Sequence, residues 1–221
     1  MPGPSAGPRS RVLAPSDVAA SHVASAPLEL QRVRVGGRVA GQQGREVTLV
    51  DALGRLPVLL EEDRWIAPGS LVVVEGRVER RRLVGAVVVT ERPLPEPVRG
   101  GEHARLAWEG VGPRLAARSQ ALAAVRDHFS RAGFIEVDTP TRLRAPALEP
   151  NVDALPAGPD WLATSPELHM KRLLVGGLAR IYQIARVFRA DEAGTWHEPE
   201  FTLLEWYRAF SDYDAVIEDT E

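Results

Sequence analysis

The stretch IYQIARVFRADEAGTWHEPEFTLLEWYRAF, Ile181 to Phe210, decides how the rest of the chain is read. It reads as two strands joined by a polar loop. The first, Ile181 to Arg189, ends on an arginine. In the second, from Glu200, period-two alternation puts Phe201, Leu203, Glu205 and Tyr207 on one face. A plain buried strand would carry aliphatics there; this one carries a carboxylate between aromatics, with Arg189 at the loop entry. The expectation is one platform that recognises both a cation and an anion. Arginine's planar fork suits phosphate or carboxylate oxygens. Asp191 and Glu192 lie in the loop, His197 and Phe201 offer stacking surfaces, and Glu205 offers a buried counter-charge.

Upstream, SPELHMKRLLVGG predicts a helix with Ser165 as N-cap, Pro166 at the first helical position and Gly176 closing it. Glu167 falls in the first turn, where capping and substrate contact are both open readings. Further back, Leu115, Leu122, Val125 and Phe129 recur at helical spacing between Arg114 and Ala132, and Gly133 supplies a stop. GFIEVDTP then switches to a short strand ended by Pro140. Pro93 to Gly101, PLPEPVRGG, reads as linker, and residues 96–113 are assigned to the connection between domains. From Leu28 to Arg92, five strand-like runs (RVRVGGRVA, EVTLVDALG, RLPVLLE, PGSLVVVEGRVER, LVGAVVVTE) predict a small barrel over residues 28–95. Five strands at this length suit an OB-like barrel. Residues 1–27, rich in Pro, Ala, Ser and Gly, are expected to be a disordered leader. Residues 114–221 form the second domain, and the fold class is α+β.

With 221 residues, 44% of them hydrophobic, the chain can bury a sizeable core. It has no cysteine, which excludes disulfides and thiolate metal sites, and no His/Cys cluster is visible for a metal. No apolar run reaches the length of a membrane span and no signal segment is evident, so a cytoplasmic protein without a membrane partner is expected. A net charge of −3 predicts no strong nucleic-acid affinity. The barrel segment holds one aromatic, Trp65, and its eleven arginines are nearly balanced by nine acids, so a structural barrel and a nucleic-acid reader both stay open. Lys171 is the only lysine. From Ala190 onward ten acids face a single arginine, Arg208, either a solvated face or a pocket for a cationic substrate.

FRADEAGTWHEPEFTLLEWYR resembles motif 2 of class II aminoacyl-tRNA synthetases in their lysyl form. GFIEVDTP resembles motif 1, and SPELHMKRLL the stretch between the two. The wording EWYR after PEFTLL, with HMKRLL upstream, resembles the branch that lysylates elongation factor P. The barrel sits where lysyl-tRNA synthetases carry an anticodon-binding OB domain. The resemblance implies an antiparallel sheet flanked by helices. It also implies ATP-dependent activation of lysine, or a lysine isomer, as an aminoacyl-adenylate, with transfer to elongation factor P or tRNA(Lys), and homodimerisation through motif 1. It places Ser165 and Glu167 by the α-amino group, and Glu205 and Tyr207 on the lysine side chain. Arg189 falls on the α-phosphate as the catalytic residue, Phe201 on adenine, and Asp191, His197 and Glu198 around ATP. The third motif and the carboxylates that hold Mg2+ would lie beyond Glu221. The expectation is therefore a truncated entry half of an adenylating site, with a non-catalytic fragment or paralogue acting as a binding module as the rival.

Overall fold

The computed structural model describes residues 11–19, 31–95, 100–146, 150–190 and 192–220. The chain divides into two compact units, Met1–Gln120 and Ala121–Glu221.

In the first unit, β1 (Val12–Leu13) and α1 (Pro15–Ala19) precede five long strands: β2 (Arg32–Gln43), β3 (Glu46–Val50), β4 (Arg55–Leu60), β5 (Leu71–Glu79) and β6 (Arg82–Arg92). The sheet order is β2-β3-β4-β6-β5, and pairing of β2 with β5 closes it. Only β4 and β6 run parallel among these five. The expected five-stranded barrel is present, and closure removes the free edges an open sheet would expose. Alternation fills it. On β5, Val72, Val74 and Val78 point inward with Leu49, Leu56, Val58 and Leu83 from its neighbours. Gly76 shares that inward face, where a Cβ would come within 2.9 Å of the Leu83 Cγ and of the Val84 carbonyl oxygen.

Part of the stretch expected to be a disordered leader is ordered. β1 pairs in parallel with β2, Val12 opposite Arg34 and Leu13 opposite Val35. Val18 of α1 is fully buried in the barrel core. A distant carboxylate fixes the segment: Asp51 Oδ2 accepts from the Ser16 amide at 2.8 Å and from its hydroxyl at 2.6 Å. Asp51 Oδ1 accepts from the Leu53 and Gly54 amides, each at 2.7 Å. The region assigned to the interdomain connection is also structured, since it contains α2 (Glu102–Ala107) and the start of α3 (Val111–Arg131).

The second unit takes the rest of α3, then β7 (Ile135–Glu136), β8 (Arg142–Leu143), β9 (Pro156–Ala157), β10 (Asp160–Leu162), α4 (Glu167–Val175), β11 (Arg180–Phe188), β12 (Glu200–Arg208) and α5 (Tyr213–Glu218). β12, β11 and β7 make a three-stranded sheet, antiparallel between β11 and β12 and parallel between β11 and β7; β8, β10 and β9 make a small antiparallel sheet. The central sheet is therefore mixed rather than wholly antiparallel. One of its faces packs on α3: Tyr182, Ile184, Leu204 and Trp206 surround Phe129 and Val125, with Phe129 stacked 4.7 Å from Tyr182. Of the helical stripe read from sequence, Val125 and Phe129 join this core, whereas Leu115 is exposed. The turn after β12 is pinned from the residue that follows α5, Asp219, which binds the Arg208 guanidinium at 3.0 Å. Among the described residues no helix is long and apolar enough to cross a membrane.

Candidate active site

The other face of the β11–β12 pair forms the candidate site. Cross-strand register sets Phe201 opposite Val187, Leu203 opposite Ala185, Glu205 opposite Gln183 and Tyr207 opposite Ile181. α4 packs against both strands. Its start is held by Ser165, whose Oγ accepts from the Glu167 amide at 3.1 Å and satisfies one of the helix's unpaired N–H groups. The same hydroxyl donates to Glu205 Oε2 at 3.1 Å, and the Tyr207 hydroxyl donates to Glu205 Oε1 at 2.5 Å. Glu205 thus has a hydroxyl donor on each oxygen. It forms no ion pair with any described residue, and it is only half-buried. Burial pushes the Tyr207 phenol far above its usual range, and the hydrogen bond to Glu205 and the charges of Glu205 and Glu167 add to that. These effects favour the protonated phenol that donates to Glu205.

Glu167, in the first turn of α4, pairs with Lys171 one turn on. That hydrogen bond raises the Lys171 ammonium above its ordinary pKa, and the charges of Glu167 and Glu205 act in the same direction. Ser165, Glu167, Lys171, Glu205 and Tyr207 therefore form one electrostatic cluster that carries two carboxylates and a single cation.

At the other end of the platform the Phe188 amide donates to the Ala163 carbonyl and the Arg189 amide to that of Pro199, both at 2.9 Å; the Ala190 amide donates to Asp153 at 2.7 Å. Arg189 Nε reaches the Thr164 carbonyl at 3.4 Å, and its guanidinium lies 5.2 Å over the Phe201 ring with Glu192 at 3.9 Å. A cation over an aromatic face is favourable, and the arrangement leaves a fork and a flat ring side by side. Thr164 Oγ1, buried beside this anchor, has no hydrogen-bond partner among the described residues.

The structure thus gathers Ser165, Glu167, Glu205 and Tyr207 into one group and Arg189 with Phe201 into another. It does not bring in the loop residues. His197 and Glu198 are exposed and make no side-chain hydrogen bond or ion pair with a described residue, although the His197 carbonyl accepts from the Gly194 amide at 3.0 Å. Asp191 lies outside the described residues. Sequence reasoning missed Lys171 as a site residue, and it missed Gln183, a buried amide that accepts from the Thr139 hydroxyl at 3.0 Å directly across from Glu205. An amide inside the apolar run Ile-Tyr-Gln-Ile-Ala was the available signal for the second. Among the described residues no three or more His, Asp or Glu side chains gather into a group that could hold a metal ion by themselves.

Residues 102–221 match the family model of class II tRNA synthetases (D, K and N). Among curated proteins, the chain is 39% identical over 127 residues to an elongation factor P–(R)-beta-lysine ligase of Mannheimia succiniciproducens, covering 52% of this chain and 39% of that protein. It is 29% identical over 231 residues to a lysine–tRNA ligase of Lysinibacillus sphaericus, covering 87% of this chain and 46% of that protein. A lysine–tRNA ligase of Magnetococcus marinus is 30% identical over 236 residues, 89% of this chain and 47% of that protein. The chain spans less than half the length of these relatives. Since the family model takes in more than half of the chain, and the whole β11–β12 platform lies inside the matched span, the chain belongs to the class II tRNA synthetases of the D, K and N group.

Proposed function

We propose that this protein takes part in ATP-dependent activation of lysine, or a lysine isomer, as an aminoacyl-adenylate, with elongation factor P as the acceptor. The observation that carries the reading is Glu205, a half-buried carboxylate given two hydroxyl donors and no ion-pair partner among the described residues. Such a group favours an ammonium partner, because desolvating either charge alone is costly. Tyr207 and Ser165 fix both oxygens so that the ε-ammonium meets a preset acceptor. Glu167 takes the α-ammonium. Arg189 places its fork against the α-phosphate, and Phe201 offers its ring to adenine, with Asp191, His197 and Glu198 in the loop around ATP. A carboxylate oxygen of the amino acid attacks the α-phosphorus and pyrophosphate leaves. An acceptor amine then attacks the acyl carbon and releases AMP. The chain's part is positioning and charge stabilisation.

Elongation factor P is preferred because EWYR after PEFTLL, with HMKRLL upstream, resembles the branch that lysylates this factor, and a ligase named for that acceptor aligns at 39% identity over 127 residues. A second reading, tRNA(Lys) as acceptor, is favoured by one observation, namely that the alignments to lysine–tRNA ligases extend over 86–89% of this chain. A cytoplasmic location and a homodimer formed through the motif 1 segment, where Ile135 is exposed, belong to the same proposal.

Calorimetric titration of the chain with L-lysine, (R)-β-lysine and norleucine tests the pocket. One of the two lysines should bind at least tenfold tighter than norleucine, which lacks the ε-ammonium. Equal binding of norleucine would sink the assignment. Supplying ATP, the preferred amino acid and either elongation factor P or tRNA(Lys) then shows which acceptor becomes charged.

A further inference from the structure

Of the chain's 27 cationic side chains, 26 are arginine and one is lysine, and that one stands in the candidate pocket. Lys171 bonds Glu167 from one helical turn away. On an open helix face such a pair would be a minor stabiliser and nothing more. Here its surroundings differ in two respects. Glu205, from the adjoining strand, acts on the same ammonium through space, and Glu167 in turn acts on Tyr207. The backbone of one and the carboxylate of the other also meet at one hydroxyl: Ser165 Oγ accepts from the Glu167 amide and donates to Glu205 Oε2. The cluster therefore holds two negative charges and one positive charge, and the positive one belongs to the same chemical class as the ligand proposed for it.

On the reading of this site as a lysine pocket, we infer that Lys171 is a resident stand-in for the substrate's α-ammonium. It neutralises Glu167 while the pocket is empty and releases that carboxylate when the amino acid arrives, and so sets how tightly cationic amino acids are held. The α-ammonium cannot join Lys171 on Glu167 without placing two like charges side by side. The resident ammonium must move, and it is able to, since the side chain is half-exposed on a flexible four-carbon stem. An arginine would serve differently. Its fork grips a carboxylate at two points and gives it up less readily.

Because the chain has one lysine, protein grown on 13Cε-labelled lysine shows a single lysine side-chain resonance. Adding unlabelled L-lysine should move that resonance toward the position of a free, solvated lysine side chain. Nα-acetyl-lysine, which has no α-ammonium, should leave it unmoved at equal occupancy. By calorimetry, Lys171→Met should bind L-lysine about three- to tenfold tighter and Lys171→Arg about three- to tenfold weaker than the parent chain, the size expected of one partly exposed charge contact. Lysine binding to the parent chain with an unmoved Lys171 resonance overturns the inference while the lysine pocket stands. So do affinities within twofold across all three proteins. If no lysine binds to any of them, the pocket reading itself fails and this inference goes with it. The resonance measurement uses the parent chain and does not depend on either variant folding.

Discussion

Glu205 and Asp51 are both carboxylates gripped by hydrogen bonds, yet they do opposite work. Each oxygen of Asp51 is filled from within the fold, by Ser16 on one side and by the Leu53 and Gly54 amides on the other. Burial raises its pKa, but the Ser16 and backbone hydrogen bonds outweigh burial and hold it below the usual carboxylate value. A folded-state value depressed below the unfolded one, about 3.9, gives stability that is present above that pH and lost as pH falls through the folded value. Asp51→Ala should therefore lower the urea stability of the barrel by about 1–2 kcal/mol at neutral pH, at the low end for a charged acceptor because solvent reaches the group. The gap from the parent chain should close as the pH is lowered toward about 2. A gap that stays constant with pH would remove the carboxylate's charge from the explanation. Glu205 forms no ion pair with a described residue, so Glu205→Gln should leave the melting temperature nearly unchanged. The same change should weaken lysine binding by about 30-fold or more, as expected when a desolvated ion pair loses one charge. Calorimetry on the variant reads this directly, and retained affinity would move the ammonium site elsewhere.

Among the elements, the β5–β6 hairpin carries the clearest local conflict. Its two-residue turn places Arg80 and Arg81 at φ of 47° and 61°, a region where a side chain crowds the following carbonyl. Hairpins turn this way to match strand twist, and Asn-Gly is the pair that tolerates it. Replacing Arg80-Arg81 by Asn-Gly should stabilise the barrel by about 1–2 kcal/mol, measured by denaturant titration at high enough salt to mute the lost charges. No gain would mean that the arginines' own interactions offset the strain. The strands flanking that turn were legible, because Leu-Val-Val-Val-Glu-Gly-Arg-Val alternates and a closed barrel has to bury one side of it. The β12 face was legible for the same reason, as period two alone sets Glu205 beside Tyr207. α1 was not. A single valine after Pro-Ser-Asp carries no period, and what orders it is Asp51, 35 residues from Ser16. Lys171 was equally hidden, since an i,i+4 Glu–Lys pair reads as an ordinary helix surface until the neighbouring strand is seen to bring Glu205 within electrostatic reach.

For the molecule as a whole, charge placement bears on which acceptor the protein can hold. The net charge is −3, and the barrel spends much of its positive charge on itself. Arg32 and Arg34 both bind Glu75, Arg64 binds Glu91, and Arg77 binds Glu79. Guanidinia already paired with carboxylates release fewer counterions when they meet a phosphate chain, and counterion release drives most non-specific nucleic-acid affinity. Base stacking, the other source of single-strand affinity, has one candidate on the barrel, the exposed Trp65. Binding of tRNA(Lys) should accordingly be weak, with a dissociation constant of about 10 μM or more at physiological salt and a log–log salt slope no steeper than about −2. Fluorescence anisotropy with labelled tRNA, repeated from 50 to 300 mM salt, measures both. Trp65→Ala should then cost less than about 1 kcal/mol, since it supplies a single stacking contact and the neighbouring Arg64 is already paired with Glu91. A nanomolar, anticodon-dependent affinity with a steep salt slope would turn the barrel into a nucleic-acid reader and shift the proposed acceptor from elongation factor P to tRNA.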